Sequence, residues 1–252
     1  MIKIKFELNQ ETKYLLIASF FIGFAISFNQ WGDKTFNLLT GLFNLFKAFI
    51  ISLFILLISL YFQKKFAEKH GIKIEYNLWF LNDFRKKGFH TKKFPTFPLG
   101  IILLIFVTLF TTGRLFFLAV GGFAIKQINK SARLQKKFKD LTQKEISQIA
   151  LRGQLAFLII TIISTLLIPL HLVFTEIAKI SAWLAIFNIL PFPNLNGAKM
   201  FFYERLQYVF WLILIVTASL LLLLTKTAIT PIIIALVFAL AITIYYAYIR
   251  FS

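Results

Sequence analysis

Asn188-Ile189-Leu190-Pro191-Phe192-Pro193-Asn194-Leu195-Asn196-Gly197-Ala198-Lys199-Met200 interrupts a strongly apolar chain with two prolines, three asparagines and a glycine. Proline has no amide hydrogen and its ring collides with the preceding turn, so the stretch cannot continue a helix. Inside a bilayer, non-helical backbone persists only where protein or a water-filled cavity satisfies its amide groups. A break of this kind at membrane depth therefore marks a lined site, and the apolar segments around it decide the fold.

Those segments dominate the chain. Hydrophobic residues make up 59% of the 252 positions, mean hydropathy is +0.79, and several apolar runs approach or exceed the roughly 20 residues that span a hydrocarbon core. Charged residues amount to 15%, against about a quarter in soluble domains, and they lie between the apolar runs. The expected fold is all-α, a polytopic transmembrane helix bundle forming one integral membrane domain over residues 1–252. The net charge of +18 comes without any groove-reading motif, so nucleic acid is not an expected partner. Basic residues beside apolar spans instead set orientation and meet membrane lipids through their anionic headgroups. There is no cysteine, which removes disulfides, thiolate zinc sites and iron–sulfur clusters.

Outward from the break, apolar spans run over residues 14–28, 38–62, 98–125, 149–174, 180–190, 206–224 and 231–248. The first follows a lysine-bearing start like that of a signal peptide, but Ala25 and Ser27 make a poor cleavage site, so an uncleaved helix is expected. Before it, Ile2 to Leu8 alternate apolar and polar, as in a short strand or an amphipathic arm. No internal repeat is evident. Basic residues crowd residues 63–97 and 126–147, and both loops should face the cytoplasm. A single crossing between them would put one on the wrong side, so the 98–125 segment is expected to enter and return as a hairpin or re-entrant loop. A turn at Gly113 and Arg114 would spare the guanidinium the cost of membrane depth. The result is about six membrane-spanning helices plus that segment, a multi-pass cell-membrane protein with both termini cytoplasmic.

Phe187 to Lys199 resembles the "FNLLPxPPLDGxK" segment of the site-2 protease family of intramembrane zinc metalloproteases, particularly its small archaeal-type members. Leu141-Thr142-Gln143-Lys144-Glu145-Ile146, followed by Ile149-Ala150-Leu151-Arg152-Gly153-Gln154-Leu155, resembles the family's "LTxxEeGxIALAGPLxN". Gln10 to Lys13 and Lys64 to Gly71 are also similar, so the resemblance covers residues 5–225, is most specific over 141–205, and implies a family-like core over 38–224. The family chemistry uses HExxH, which aims two histidines one helical turn apart at a zinc ion with a glutamate base between them. The LDG aspartate completes the protein ligands, leaving one position for water.

Counting back from Gly71, the HExxH slot reads Ser59-Leu60-Tyr61-Phe62-Gln63, and the LDG slot reads Leu195-Asn196-Gly197. Ser59 and Gln63 stand for the histidines, Leu60 for the base and Asn196 for the aspartate. No register slip restores the motif, because no histidine precedes His70. The "AGPLxN" segment has drifted too, with Gln154 for proline and Phe157 for asparagine. A hydroxyl and neutral amides cannot hold a dication as imidazole and carboxylate do, and Leu60 cannot take a proton. The three histidines, His70, His90 and His171, have no i, i+4 pair that would make a helical metal face; His70 and His90 read as solvated and His171 as an interfacial hydrogen-bonding residue.

No catalytic residue, metal ligand or cofactor is therefore expected. The resemblance implies a catalytically inactive site-2-protease-like protein that binds or sequesters transmembrane segments of other proteins. Asn188, Asn194, Asn196 and Gly197 would meet an unwound backbone, while Pro191 and Pro193 keep their own region non-helical. A plainer reading makes Asn196 the cap of the helix that follows. The alternatives are an active intramembrane zinc metalloendopeptidase and a small transporter with a discontinuous helix, which would need a second break that the sequence lacks. Lys47 and Arg114 read as snorkelling or paired within the bundle. Trp79, Trp183 and Trp211 read as interface anchors, and the 32 phenylalanines as lipid-facing and packing residues.

Overall fold

The computed structural model describes residues 9–32, 36–80, 97–128, 142–225, 227 and 229–251. In chain order the elements are α1 (Gln10–Ser27), α2 (Leu38–Lys69), β1 (Ile72–Leu78), α3 (Leu99–Phe110), β2 (Gly121–Ile128), α4 (Gln143–Leu167), α5 (Val173–Asn188), α6 (Asn196–Phe201), α7 (Arg205–Thr225) and α8 (Ile229–Phe251). Four of them, α2, α4, α7 and α8, are long and apolar enough to cross a membrane. This is the architecture of a mostly helical membrane protein.

Local signals explain the helix boundaries. The Asn37 side chain accepts from the amides of Leu39 and Thr40 and so starts α2. Thr142 and Glu145 form a reciprocal capping box at the start of α4, and Pro169 follows its end. The faces are sorted as lipid solvent demands. Along α2, Leu39, Phe43, Phe46, Ile50, Phe54, Leu57 and Tyr61 are exposed, whereas Ser52, Ser59 and Gln63 are buried. An apolar exterior around a polar interior reverses the soluble pattern, because hydrocarbon cannot satisfy a hydrogen bond. Between α4 and α5 the hydroxyls of Thr161 and Ser181 meet at 2.9 Å. Among the described side chains of α8, Pro231, Ala235 and Ala239 are the buried ones, one stripe at i, i+4 spacing.

The all-α expectation needs correction. β1 and β2 form an antiparallel sheet, with Tyr76 opposite Phe123 and Leu78 opposite Gly121. Ile72, Ile74, Tyr76 and Leu78 are buried while Lys73 is exposed, the period-2 alternation of a half-buried strand. That alternation is plain in the sequence but lies inside a stretch dominated by lysines. The 98–125 segment does turn back on itself: α3 ends in a turn where Thr112 and Gly113 have positive φ, and Arg114 is exposed. Its return limb is extended and ends in β2, not in a second helix. The second apolar run continues as helix through Lys69 instead of ending at Phe62, so the 59–63 slot sits within a helix. Trp79 is buried, stacked on Phe192 at 5.7 Å, and is a packing residue, not an interface anchor. The Ile2 to Leu8 arm lies outside the described residues.

Glu11 ties three elements together. One carboxylate oxygen accepts the Tyr76 amide at 3.1 Å, closing the outer edge of β1, and the other pairs with Lys64 of α2 at 2.7 Å. The sheet is thereby fixed beside the cytoplasm-expected end of α2, just beyond the Ser59 to Gln63 turn.

Candidate functional site

Ser59 and Gln63 are one helical turn apart on the inner face of α2, and both are buried. Ser59 donates its hydroxyl to the Gly153 carbonyl of α4 at 3.1 Å. The two helices cross this closely because position 153 has no side chain: a Cβ there would lie 2.1 Å from Gln63 Nε2. Gln63 in turn donates through Nε2 to Asn196 Oδ1, 3.3 Å away at the start of α6. Leu60, between them in sequence, belongs to the apolar core.

The chain break is held by the same junction. α5 stops at Asn188, and Tyr208 of α7 donates its hydroxyl to the freed Ile189 carbonyl at 3.1 Å. Residues 189–190 then lie directly against the first turn of α6, where a Cβ at Gly197 would stand 1.9 Å from the Ile189 oxygen. Asn194 takes a left-handed φ of 66°, which asparagine tolerates better than most residues. Lys199 reaches back to donate to the Asn194 carbonyl at 3.1 Å and also to the Phe123 carbonyl of β2. Backbone carbonyls that no helix or strand partner satisfies thus find donors from α6 and α7. A cavity of about 260 Å³ lies between β2 and this loop, with Phe123, Asn194 and Lys199 in its wall.

Gln154 adds a second polar feature. It is fully buried, and neither its Oε1 nor its Nε2 has a hydrogen-bond partner among the described residues. The contact of Thr161 with Ser181 sets the register of α4 against α5. One heptad back along α4 and one forward along α5 bring Gln154 and the buried Asn188 onto these same facing sides. A buried carboxamide without partners costs about 1–3 kcal/mol, so the interior at this level is polar and incompletely satisfied.

The structure therefore brings Ser59, Gln63 and Asn196 together, with Gly153 and Gly197 as the close-approach positions. Asn188 is beside them but its Nδ2 donates to Leu184 of its own helix at 3.0 Å. Pro191 is exposed and Pro193 and Asn194 are half-buried, forming the loop that flanks the junction. The capping reading of Asn196 is corrected: the residue preceding α6 is Leu195, no side chain caps it, and the Asn196 oxygen is turned to Gln63. His171 is exposed and accepts the Val173 amide through Nδ1 at 3.1 Å, opening α5. His70 Nδ1 lies 3.0 Å from the Phe66 carbonyl at the end of α2, and His90 lies outside the described residues. Lys47 is paired with Glu176 of α5 at 2.7 Å.

Three participants escaped the sequence reading. Gly153 was visible only as a motif letter, although a glycine opposite a buried carboxamide is a packing requirement. Lys199 and Phe123 meet at the loop because β2 passes there, where hydropathy alone shows only the end of an apolar span. The pair Gly121-Gly122 at its start was the available signal.

Scans against models of known protein families, characterised proteins and solved structures find no match to this chain.

Proposed function

We propose that this chain is a catalytically inactive relative of the site-2 proteases that binds transmembrane segments of other proteins. The observation that carries the reading is the Gln63–Asn196 hydrogen bond. The positions that resemble the second histidine of HExxH and the aspartate of LDG lie 133 residues apart in sequence, and chance similarity of two apolar stretches gives no reason for them to meet. Ser59, one turn earlier, faces the same junction.

The residues present do not fit zinc. Zinc takes imidazole, thiolate and carboxylate; here a hydroxyl is spent on a carbonyl and two neutral carboxamides are spent on each other. Leu60 supplies no proton acceptor. What supports binding instead is the buried Gln154 carboxamide, which has no partner among the described residues, together with a non-helical loop next to the outer edge of β2. Peptide groups of an unwound segment need partners of this kind in a bilayer. In the same reading α1 and α5 join the four longer helices as membrane crossings, the α3–β2 segment is re-entrant, and both termini face the cytoplasm, which the basic loops favour.

Photocrosslinking tests the proposal. A photoreactive residue replacing Asn194 in the full chain, activated in its own membrane, should trap membrane proteins through their apolar segments. Labelling of lipid alone would overturn it.

A further inference from the structure

A second site lies away from this junction. The beginnings of α4 and α7, with Thr243 of α8, border an open crevice of about 560 Å³, within the range of small-molecule sites. All three helices are long and apolar enough to cross a membrane, and two of them begin here. The cavity thus opens at one end of the apolar bundle, where the boundary between headgroups and hydrocarbon falls.

Its wall is sorted along that direction. Lys144, Gln148, Glu204 and Gln207 contribute polar groups at the helix ends, and Phe210 and Trp211 line it about a turn deeper along α7. Arg205 does not join them, because its guanidinium lies over the Phe201 ring at 5.5 Å. Among the described residues the wall therefore carries one cation and one carboxylate, with two carboxamides able to donate or accept and the hydroxyls of Tyr203 and Thr243.

We propose that this crevice binds a phospholipid with a zwitterionic, primary-ammonium headgroup. Lys144 meets the phosphodiester, Glu204 and the glutamine carbonyls take the ammonium hydrogens, and an acyl chain lies along Phe210 and Trp211. The charge pattern selects the occupant. An anionic headgroup without an ammonium offers Glu204 at best a neutral hydroxyl donor and no counter-charge, and a trimethylammonium offers that carboxylate no N–H donor. This inference does not depend on the proposed function.

Native mass spectrometry of the full chain, released from micelles doped with equal amounts of phosphatidylethanolamine, phosphatidylglycerol and phosphatidylcholine, tests it. The wild-type chain should retain phosphatidylethanolamine in several-fold excess. Glu204→Gln should bring retention close to parity, and Lys144→Gln should lower retention of all three, with helix content by circular dichroism unchanged. Equal retention of the three lipids by the wild type, a preference for either of the other two, or an undiminished excess in Glu204→Gln would overturn the proposal.

Discussion

Gln63 on α2 donates to Asn196 on α6 at 3.3 Å, and both side chains are at least 96% buried, with relative exposures of 4% and 3%. A neutral hydrogen bond of this kind contributes about 1 kcal/mol net, but removing one partner leaves the other desolvated, at about 1–3 kcal/mol. Gln63→Leu and Asn196→Leu are therefore each expected to destabilise by that amount. The double variant should cost less than the sum of the two. A double-mutant cycle on detergent-solubilised protein, followed by thermal unfolding, measures the coupling; strict additivity would mean that the two side chains do not interact.

The glycines on either side of that bond should rank in a defined order. At Gly153 an added methyl meets the end of the Gln63 side chain, which can swing away at the loss of its bond, so Gly153→Ala should cost about 1–3 kcal/mol. At Gly197 the methyl meets the carbonyls of Ile189 and Leu190, 1.9 and 2.4 Å away. Backbone cannot swing aside, so Gly197→Ala should be the more destabilising, above about 3 kcal/mol. Unfolding midpoints of the two variants compared side by side decide the order.

Hydropathy and punctuation make most of the helices legible in the sequence. Apolar length signals α2, α4, α7 and α8, and Pro191, Pro193 and Gly197 signal the break. The Ser59–Asn196 neighbourhood was legible only through resemblance, since nothing local in either stretch announces a partner so far away in sequence. The sheet is hidden in the sequence for a physical reason. Lys73 and Glu75 put charge on the exposed face of β1, and a strand with one charged face looks like a charged loop when counted by composition. Gln154 shows the opposite failure, because a glutamine in an apolar helix gives no sign of whether it will find a partner.

Lys47 and Glu176 join α2 to α5 within otherwise apolar surroundings. Their side chains keep 29% and 28% exposure, so the pair lies between the surface case, worth about 0–1 kcal/mol, and the buried case, where losing one partner costs about 3–5 kcal/mol. Lys47→Met and Glu176→Gln should each destabilise by an intermediate amount, about 1–3 kcal/mol. Combining them removes the uncompensated charge, so the double variant should recover part of the loss. Unfolding of all four proteins at one ionic strength checks it.

Tyr76 is buried, and burial raises its hydroxyl pKa well above the usual 10.0. The unfolded chain releases this proton near pH 10 while the folded chain keeps it. Its contribution is therefore fully present below pH 10 and is lost as pH rises towards the folded value, with a slope approaching about 1.4 kcal/mol per pH unit. Tyr76→Phe removes that proton. Between pH 9 and pH 11 the wild type should lose more stability than Tyr76→Phe, as read by denaturant midpoints; parallel losses would mean that the hydroxyl ionises in the folded protein.

Introducing the coordinating groups that the resemblance implies tests the proposed kinship from the opposite direction. Positions 59 and 63 are one turn apart on the buried face of α2, and position 196 is already within hydrogen-bond reach of 63. Histidine at the first two and aspartate at the third would supply the three ligands that a tetrahedral zinc site with one open position requires. The carbonyl of Gly153 stands close to Ser59, so an imidazole there carries an overpacking cost of about 1–3 kcal/mol, small against the roughly 10–16 kcal/mol of structural zinc binding. The variant Ser59→His, Gln63→His, Asn196→Asp should purify with near-stoichiometric zinc and show a zinc-dependent rise in its unfolding midpoint, while the wild type does neither. Metal analysis of the two proteins purified in parallel gives the answer: a folded triple variant without zinc would separate this junction from the geometry of an intramembrane metalloprotease.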